Sequence, residues 1–297
     1  MLAIESIKTG VLNIAFHRYG FQTNRTVILL HGWPDCALTW HEVATNLADK
    51  DLHVLVPYLR GYGPTRFLND NTPRSGQLSA LAQDVIDFAD AMGIEKFDVV
   101  GHDWGARAVY ISACLWPDRI RTCTAMSVGW GTNNADQPLS LNQVQNYWYH
   151  WYMATPRGEA LVRDDRRALT KHIWNIWCPF WKISTTDFDV TAATFDNPDW
   201  ADVVLHSYRH RWGGAKSDDT YATLEATLAN PPLISVPTMV LHGADDPCNL
   251  PATSEGREKF FSGRYERYLV KHCGHFPQRE QPADVAYRVL EFLKAPS

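Results

Sequence analysis

Apolar residues fall along this chain in two periods, and the alternation of those periods predicts most of the architecture. Residues 3 to 18 alternate loosely around Thr9-Gly10, as the two arms of a leading β-hairpin do. Thr26-Val27-Ile28-Leu29-Leu30 is a short apolar run suited to a buried parallel strand. Trp40, Val43, Ala44 and Leu47 then recur at helical spacing, and His53-Val54-Leu55-Val56-Pro57 supplies the next strand. A glycine- and proline-bearing loop from Arg60 to Gly76 leads to a helix marked by Leu78, Leu81, Val85, Phe88 and Met92. The strand Phe97 to Val100 follows, then a helical stripe of Ala106, Val109, Tyr110, Ala113 and Cys114 that stops near Pro117, then a strand over Cys123 to Val128. From about Trp130 to Asn230 the alternation ceases. It resumes with strands at 237–242 and 265–271 and a last helix carrying Val285, Ala286, Val289, Leu290 and Leu293.

This order predicts an α/β fold, a mostly parallel sheet flanked by helices, with a core of residues 1–129 and 231–297. The inserted helical segment, 130–230, is expected to cap the carboxyl ends of the strands, where such sheets bind ligands. The insertion holds eight of the chain's twelve tryptophans, so an aromatic wall is expected there, most of it ordinary helical core.

Composition narrows the class. With 297 residues and 45% hydrophobic content the chain can bury a sizeable core. A net charge of -5 gives no electrostatic reason to expect nucleic acid or an acidic membrane as partner. A small-molecule substrate is the expected partner, and a homodimer is left open. Six scattered cysteines without a Cys-x-x-Cys pair argue against a zinc site or a disulfide framework and for a reducing compartment. The first residues carry neither a basic nor a long apolar leader, and no apolar run approaches the ~20 residues that span a bilayer. A cytoplasmic location is therefore expected.

Candidate chemistry concentrates at the ends of the predicted strands. In Gly101-His102-Asp103-Trp104-Gly105 two glycines flank a side chain held at the apex of a tight strand-to-helix turn, the geometry of a nucleophile elbow. The apex is a carboxylate rather than the usual serine, and a carboxylate can attack a saturated carbon directly. A plainer alternative is that Asp103 only caps the helix that follows. Two further strand ends weigh against that alternative: Gly243-Ala244-Asp245-Asp246-Pro247 and His272-Cys273-Gly274-His275-Phe276. The order nucleophile, acid, histidine is that of a hydrolytic triad. His275 is the expected base, because an imidazole can take a proton from water and return it. Asp246, three residues after Gly243, is preferred to Asp245 as its partner, and His275 to His272.

Four motifs carry a resemblance that spans nearly the whole chain: His31-Gly32-Trp33-Pro34-Asp35, Arg60-Gly61-Tyr62-Gly63, the elbow, and Gly274-His275-Phe276. The chain resembles the epoxide hydrolases of the α/β-hydrolase fold. The resemblance implies an oxyanion hole from the backbone N–H groups of Trp33 and Trp104, a cis bond at Pro34, and no metal or organic cofactor. It also implies acids in the cap that protonate the opening ring. Tyr208, followed by Arg209, matches the second of these; for the first, His150 ranks ahead of Tyr149 and Tyr152. Trp104, Trp151, Tyr149, Tyr152 and Arg107 are the expected substrate contacts.

Haloalkane and haloacid dehalogenases share the aspartate nucleophile and are the nearest alternative. His150-Trp151 resembles the halide-gripping pair of fluoroacetate dehalogenases, and Arg107 matches their second arginine. Trp104, however, stands where those enzymes carry an arginine, and no carboxylate follows Met126-Ser127-Val128-Gly129. A non-catalytic receptor on the same fold is a further alternative, and a serine esterase is weaker because no serine occupies the elbow.

Overall fold

Strands form where the sequence runs apolar. The computed structural model describes residues 3–22, 25–132, 134 and 137–294, and among these nine strands join one sheet. β1 (Glu5–Lys8) and β2 (Leu12–Tyr19) are the arms of the leading hairpin, with the hydroxyl of Thr9 accepting from the N–H of Leu12 at the turn. β3 (Thr26–Leu30), β4 (His53–Pro57), β6 (Phe97–His102), β7 (Ile120–Met126), β8 (Thr238–Gly243) and β9 (Tyr265–Val270) form the parallel body. The two-residue β5 (Arg66–Phe67), which no periodicity announced, pairs with β2.

The strand order β1-β2-β4-β3-β6-β7-β8-β9 reverses direction of growth between β3 and β6. Loops leaving the carboxyl ends of those two strands therefore diverge and leave a crevice, the usual ligand site of a doubly wound sheet. β3, β4, β6 and β8 are buried along almost their whole length, as parallel strands covered on both faces must be. The cover comes from two helix pairs: α1 (His41–Ala48) against α12 (Pro282–Lys294), and α2 (Leu78–Ala91) against α3 (Trp104–Leu115).

Among the described residues between β7 and β8 lie seven short α-helices: α4 (Leu141–Asn146), α5 (Trp148–Met153), α6 (Pro156–Asp164), α7 (Arg166–Trp177), α8 (Thr185–Ala192), α9 (Trp200–Arg211) and α10 (Ala222–Leu228). The side chains of Ser140, Thr155, Asp165 and Ser184 each accept from a backbone N–H of the first turn, which fixes where α4, α6, α7 and α8 begin. Trp174, Trp177 and Trp200 turn inward and are fully buried, and the Trp174 indole donates to the carbonyl of Pro34, tying the insertion to the loop after β3. That loop is held again by Arg279 of α11 (Pro277–Glu280), whose guanidinium forks onto Asp35 and stacks over Trp174. The Arg60 motif is structural in the same way. Its guanidinium is buried in a two-pronged pair with Asp84 of α2 and also donates to the carbonyl of Ser75 and the hydroxyl of Tyr221. Among the described residues no helix is long and apolar enough to cross a membrane.

Candidate active site

At the end of β6 the backbone turns so sharply that Asp103 adopts φ 51° and ψ -109°, a conformation rarely open to a residue with a side chain. The flanking glycines make room for the turn. A Cβ on Gly101 would lie 2.2 Å from the carbonyl oxygen of Gly105, and one on Gly105 would lie 2.3 Å from that of Leu30. Gly32 faces the apex itself, where a Cβ would stand 2.5 Å from that of Asp103. The capping alternative fails on geometry, because the Asp103 side chain makes no hydrogen bond to the first turn of α3. Its Oδ1 instead accepts from the backbone N–H of Trp33 at 2.9 Å. The Trp33–Pro34 peptide is cis. The backbone N–H of Trp104 opens α3, among the N–H groups that a helix leaves without an internal partner.

His275 enters from the loop after β9. Its N–H donates to the carbonyl of Trp177, and its own carbonyl accepts from Ser127 Oγ at 2.9 Å and faces His102 Nε2 at 2.7 Å. The ring is thereby fixed between the insertion and two strand ends. Nδ1 lies 2.9 Å from Asp246 Oδ2, while Nε2 has no partner and stands 3.9 Å from Asp103 Oδ2. Asp246 is fully buried, and its Oδ1 accepts from the N–H groups of Cys248 and Asn249 at 2.8 and 3.1 Å. Burial opposes ionisation of this carboxyl, but His275 and the hydrogen bonds from His242 and His275 outweigh it and hold the group well below the usual carboxylate range. Burial likewise opposes protonation of His275, and Asp246 more than offsets that, so the imidazole sits well above its ordinary value. The rivals point elsewhere: Asp245 and His272 are exposed, and His272 packs on Phe180.

Aromatic rings close the space over Asp103. Tyr149 stacks on Trp33 at 5.2 Å, and Tyr208 meets Trp33, Trp104 and Tyr149 edge-on with ring centres 5.2, 5.5 and 5.4 Å away. Tyr208 Oη accepts from the Trp104 indole at 3.2 Å, so its own proton is left to donate. Burial, then the nearby Asp103 carboxylate, pushes the phenol of Tyr208 well above its ordinary value, and burial does the same for Tyr149.

The structure does not gather all of the expected contacts. Tyr149, ranked behind His150 from sequence, is the α5 residue that packs on Trp33. His150 is buried against Tyr147, Tyr149 and Tyr208, with Nδ1 accepting from the Trp212 indole and Nε2, which then carries the proton, without a partner. Its imidazole is driven well below the usual range by burial and then by Arg211 and Arg107. Trp151 is about one-third exposed and donates to the carbonyl of Val144, so its indole N–H is already engaged. Tyr152 is half-buried and packs on Trp148. Arg107, one helical turn beyond Asp103, lines a separate cavity of about 320 Å³ rather than the space over the carboxylate. Sequence reasoning missed Trp177, Cys248 and Arg211; only Arg211 carried a signal, since it lies three residues after Tyr208 on α9 and shares its face.

Residues 25–282 match the model of the alpha/beta hydrolase fold family. Epoxide hydrolase A of Mycobacterium tuberculosis is 27% identical over 90% of this chain and 89% of that protein. A crystal structure from Klebsiella pneumoniae, of a protein assigned to the epoxide hydrolases, is 39% identical and superposes with a TM-score of 0.92 over 98% of this chain and 97% of that one. Potato epoxide hydrolase I, at 21% identity and a TM-score of 0.80 over 99% of both chains, shares the fold.

Proposed function

Because the chain belongs to the α/β-hydrolase fold family and is an epoxide hydrolase, we propose that it converts an apolar epoxide to a vicinal diol through an ester of Asp103. One observation carries this reading. Asp103 stands at the elbow apex with Oδ1 on the Trp33 N–H and Oδ2 turned toward the unpartnered Nε2 of His275. In the first step Oδ2 bonds to an epoxide carbon as that carbon's bond to oxygen breaks, and the released alkoxide takes the proton of Tyr208. Tyr149 supplies the second donor. In the next step His275 takes a proton from water, the hydroxide adds to the Asp103 carboxyl carbon, and charge gathers on Oδ1, where the N–H groups of Trp33 and Trp104 receive it. Collapse frees the diol, and the proton held by His275 returns to the Tyr208 phenolate. Residues 130–230 act in this reading as a cap that excludes water from the ester until His275 delivers it, over a core of residues 1–129 and 231–297.

The rings of Trp33, Tyr149 and Tyr208 favour aryl or alkyl epoxides, because apolar burial contributes ~25 cal/mol per Å² and aromatic walls stack on aryl groups. A halide-abstracting site needs free donors near Oδ2. Here the indole of Trp104 is engaged by Tyr208 and that of Trp151 by Val144, which leaves the indole N–H of Trp33 as the one unpartnered indole among these three. Single-turnover reaction in heavy-oxygen water tests the ester: label must appear in the Asp103 carboxyl group. Label confined to the diol overturns the mechanism in favour of direct attack by water.

A further inference from the structure

Ring opening relocates one negative charge. Beforehand the charge rests on the Asp103 carboxylate; once Oδ2 has bonded to carbon the ester is neutral, and the charge passes through the alkoxide to Tyr208 as the phenol gives up its proton. Only an interaction that is stronger with the phenolate than with the phenol speeds this step, so the surroundings of the Tyr208 ring matter. They include a cation without an anion. Arg211, three residues after Tyr208 on α9, holds its guanidinium 5.0 Å over the Tyr208 ring. The residue is partly exposed where it borders the 320 Å³ cavity, but its Nε and Nη2 are buried and neither has a hydrogen-bond partner.

Other groups around the ring do not supply this charge. The Trp104 indole donates to Tyr208 Oη but is neutral. His150 packs on the ring with centres 4.5 Å apart, yet burial and then Arg211 and Arg107 hold its imidazole well below the usual range, so it is uncharged at neutral pH. Tyr149 and Cys248, also near the ring, are acids that burial keeps protonated. Asp103 is a carboxylate that opposes ionisation of Tyr208 until alkylation neutralises it. Arg107 and Glu225 border the cavity with Arg211, and Glu225 Oε1 is already engaged by Ser79 and Gln77. An unpaired buried charge destabilises a fold, so a guanidinium facing an ionisable ring without an anion is better explained by the reaction than by stability.

We propose that Arg211 is the charge partner of the Tyr208 phenolate: its guanidinium, without an anion while Tyr208 is neutral, pairs with the negative charge that ring opening places on the phenol. The inference rests on the epoxide reading and deepens it, since it makes Tyr208 rather than Tyr149 the phenol that yields its proton. Phenolate charge spreads into the ring, so a guanidinium over the face stabilises it without touching Oη or substrate. Arg211 therefore acts through Tyr208, as a positioning residue. When the proton held by His275 returns, Tyr208 is neutral and the guanidinium is again unpaired.

The test uses His275→Gln, in which the ester persists. Phenolate absorbance that accompanies the ester is followed against pH and assigned to Tyr208 by subtracting the spectrum of His275→Gln/Tyr208→Phe. Adding Arg211→Gln is expected to move this titration upward by about one pH unit or more, because a nearby positive charge is lost from a largely buried site. Alkylation is expected to slow by about three- to tenfold, the part of that change expressed while the proton is in transit. In a Tyr208→Phe background Arg211→Gln is expected to have no further effect on alkylation. Arg107→Gln, which removes a cation that does not stand over the ring, is expected to move the titration less.

A titration that Arg211→Gln leaves in place, even with slower alkylation, means that the side chain only packs Tyr208, and it overturns the inference. So does a loss of alkylation that persists in the Tyr208→Phe background, or an Arg107→Gln titration shifted as far as that of Arg211→Gln. Both Arg211→Gln and the uncharged Arg211→Met, of similar length, remove a charge that has no anion, so both are expected to melt no lower than the unaltered protein and to shift the titration alike. If neither the unaltered protein nor His275→Gln forms an ester, the epoxide reading falls and takes the inference with it. An ester that forms normally beside a Tyr208 titration indifferent to Arg211 sinks the inference alone.

Discussion

His275 holds Nε2 3.9 Å from Asp103 Oδ2, beyond hydrogen-bond reach but within the span that one water bridges. The separation suits a base that acts on water rather than on the nucleophile. His275→Gln is therefore expected to permit alkylation of Asp103 and to slow ester hydrolysis by roughly 10²–10⁴-fold. Intact-protein mass should rise by one substrate and persist. A variant whose mass never rises, or a His272→Gln variant that traps the ester instead, contradicts the assignment.

The short link between His275 and Asp246 sets a pH dependence. Only neutral His275 can take a proton, and its pKa is raised above the ordinary value of about 6.5, so hydrolysis of the ester should increase as pH climbs through a value above that. Asp246→Asn removes the charge that causes the shift. The inflection should move to lower pH and the plateau rate should fall. The linked stability has the opposite course: the pair's contribution is fully present below about pH 6.5 and is lost as pH rises through the folded-state value. Rapid-quench rates and melting midpoints between pH 5 and 10 check both signs; an inflection that does not move in Asp246→Asn refutes the coupling.

Tyr208 and Tyr149 face each other over Trp33, whereas His150 packs on both of these tyrosines with Nδ1 on Trp212. Tyr208→Phe and Tyr149→Phe should each slow ring opening, together by roughly 10²–10⁴-fold, because each removes a donor to the developing alkoxide. His150→Phe should cost less than about tenfold, acting only through the packing of Tyr208. Pre-steady-state alkylation rates separate these effects from hydrolysis. A larger loss in His150→Phe than in Tyr149→Phe reverses the choice of second acid.

The difference between those residues marks where the sequence stops being readable. The parallel strands announce themselves as apolar runs, and each of Asp103, Asp246 and His275 stands just past the end of one, so their convergence follows from the sheet. α5 offers no such anchor. It is one and a half turns long, nearly every residue from Tyr147 to Tyr152 is aromatic, and no polar stripe reveals which face turns inward. Its phase is set by tertiary contacts, the stacking of Tyr149 on Trp33 and of His150 on Tyr147. Arg211 was hidden for another reason. It reads alone as a helix-surface charge, and only the fold places it at one cavity with Arg107, which the resemblance had already named as a substrate contact.

Strain in the elbow backbone is open to measurement. A residue with a side chain held at φ 51° and ψ -109° costs about 1–3 kcal/mol relative to a relaxed conformation, and glycine avoids most of that. Asp103→Ala keeps the strain and Asp103→Gly releases it, while both remove the carboxylate and leave the Trp33 N–H without its acceptor. The lost hydrogen bond therefore cancels in the comparison. Glycine also loses more backbone freedom on folding than alanine, by roughly 0.5–1 kcal/mol in the opposite direction. The strain outweighs this, so Asp103→Gly should be more stable than Asp103→Ala by about 0.5–2 kcal/mol although both are inactive. Urea midpoints at matched slopes measure the difference. If the alanine variant proves equal or more stable, the turn stores no strain, and the need to project a carboxylate at its apex is not what sets this chain's stability there.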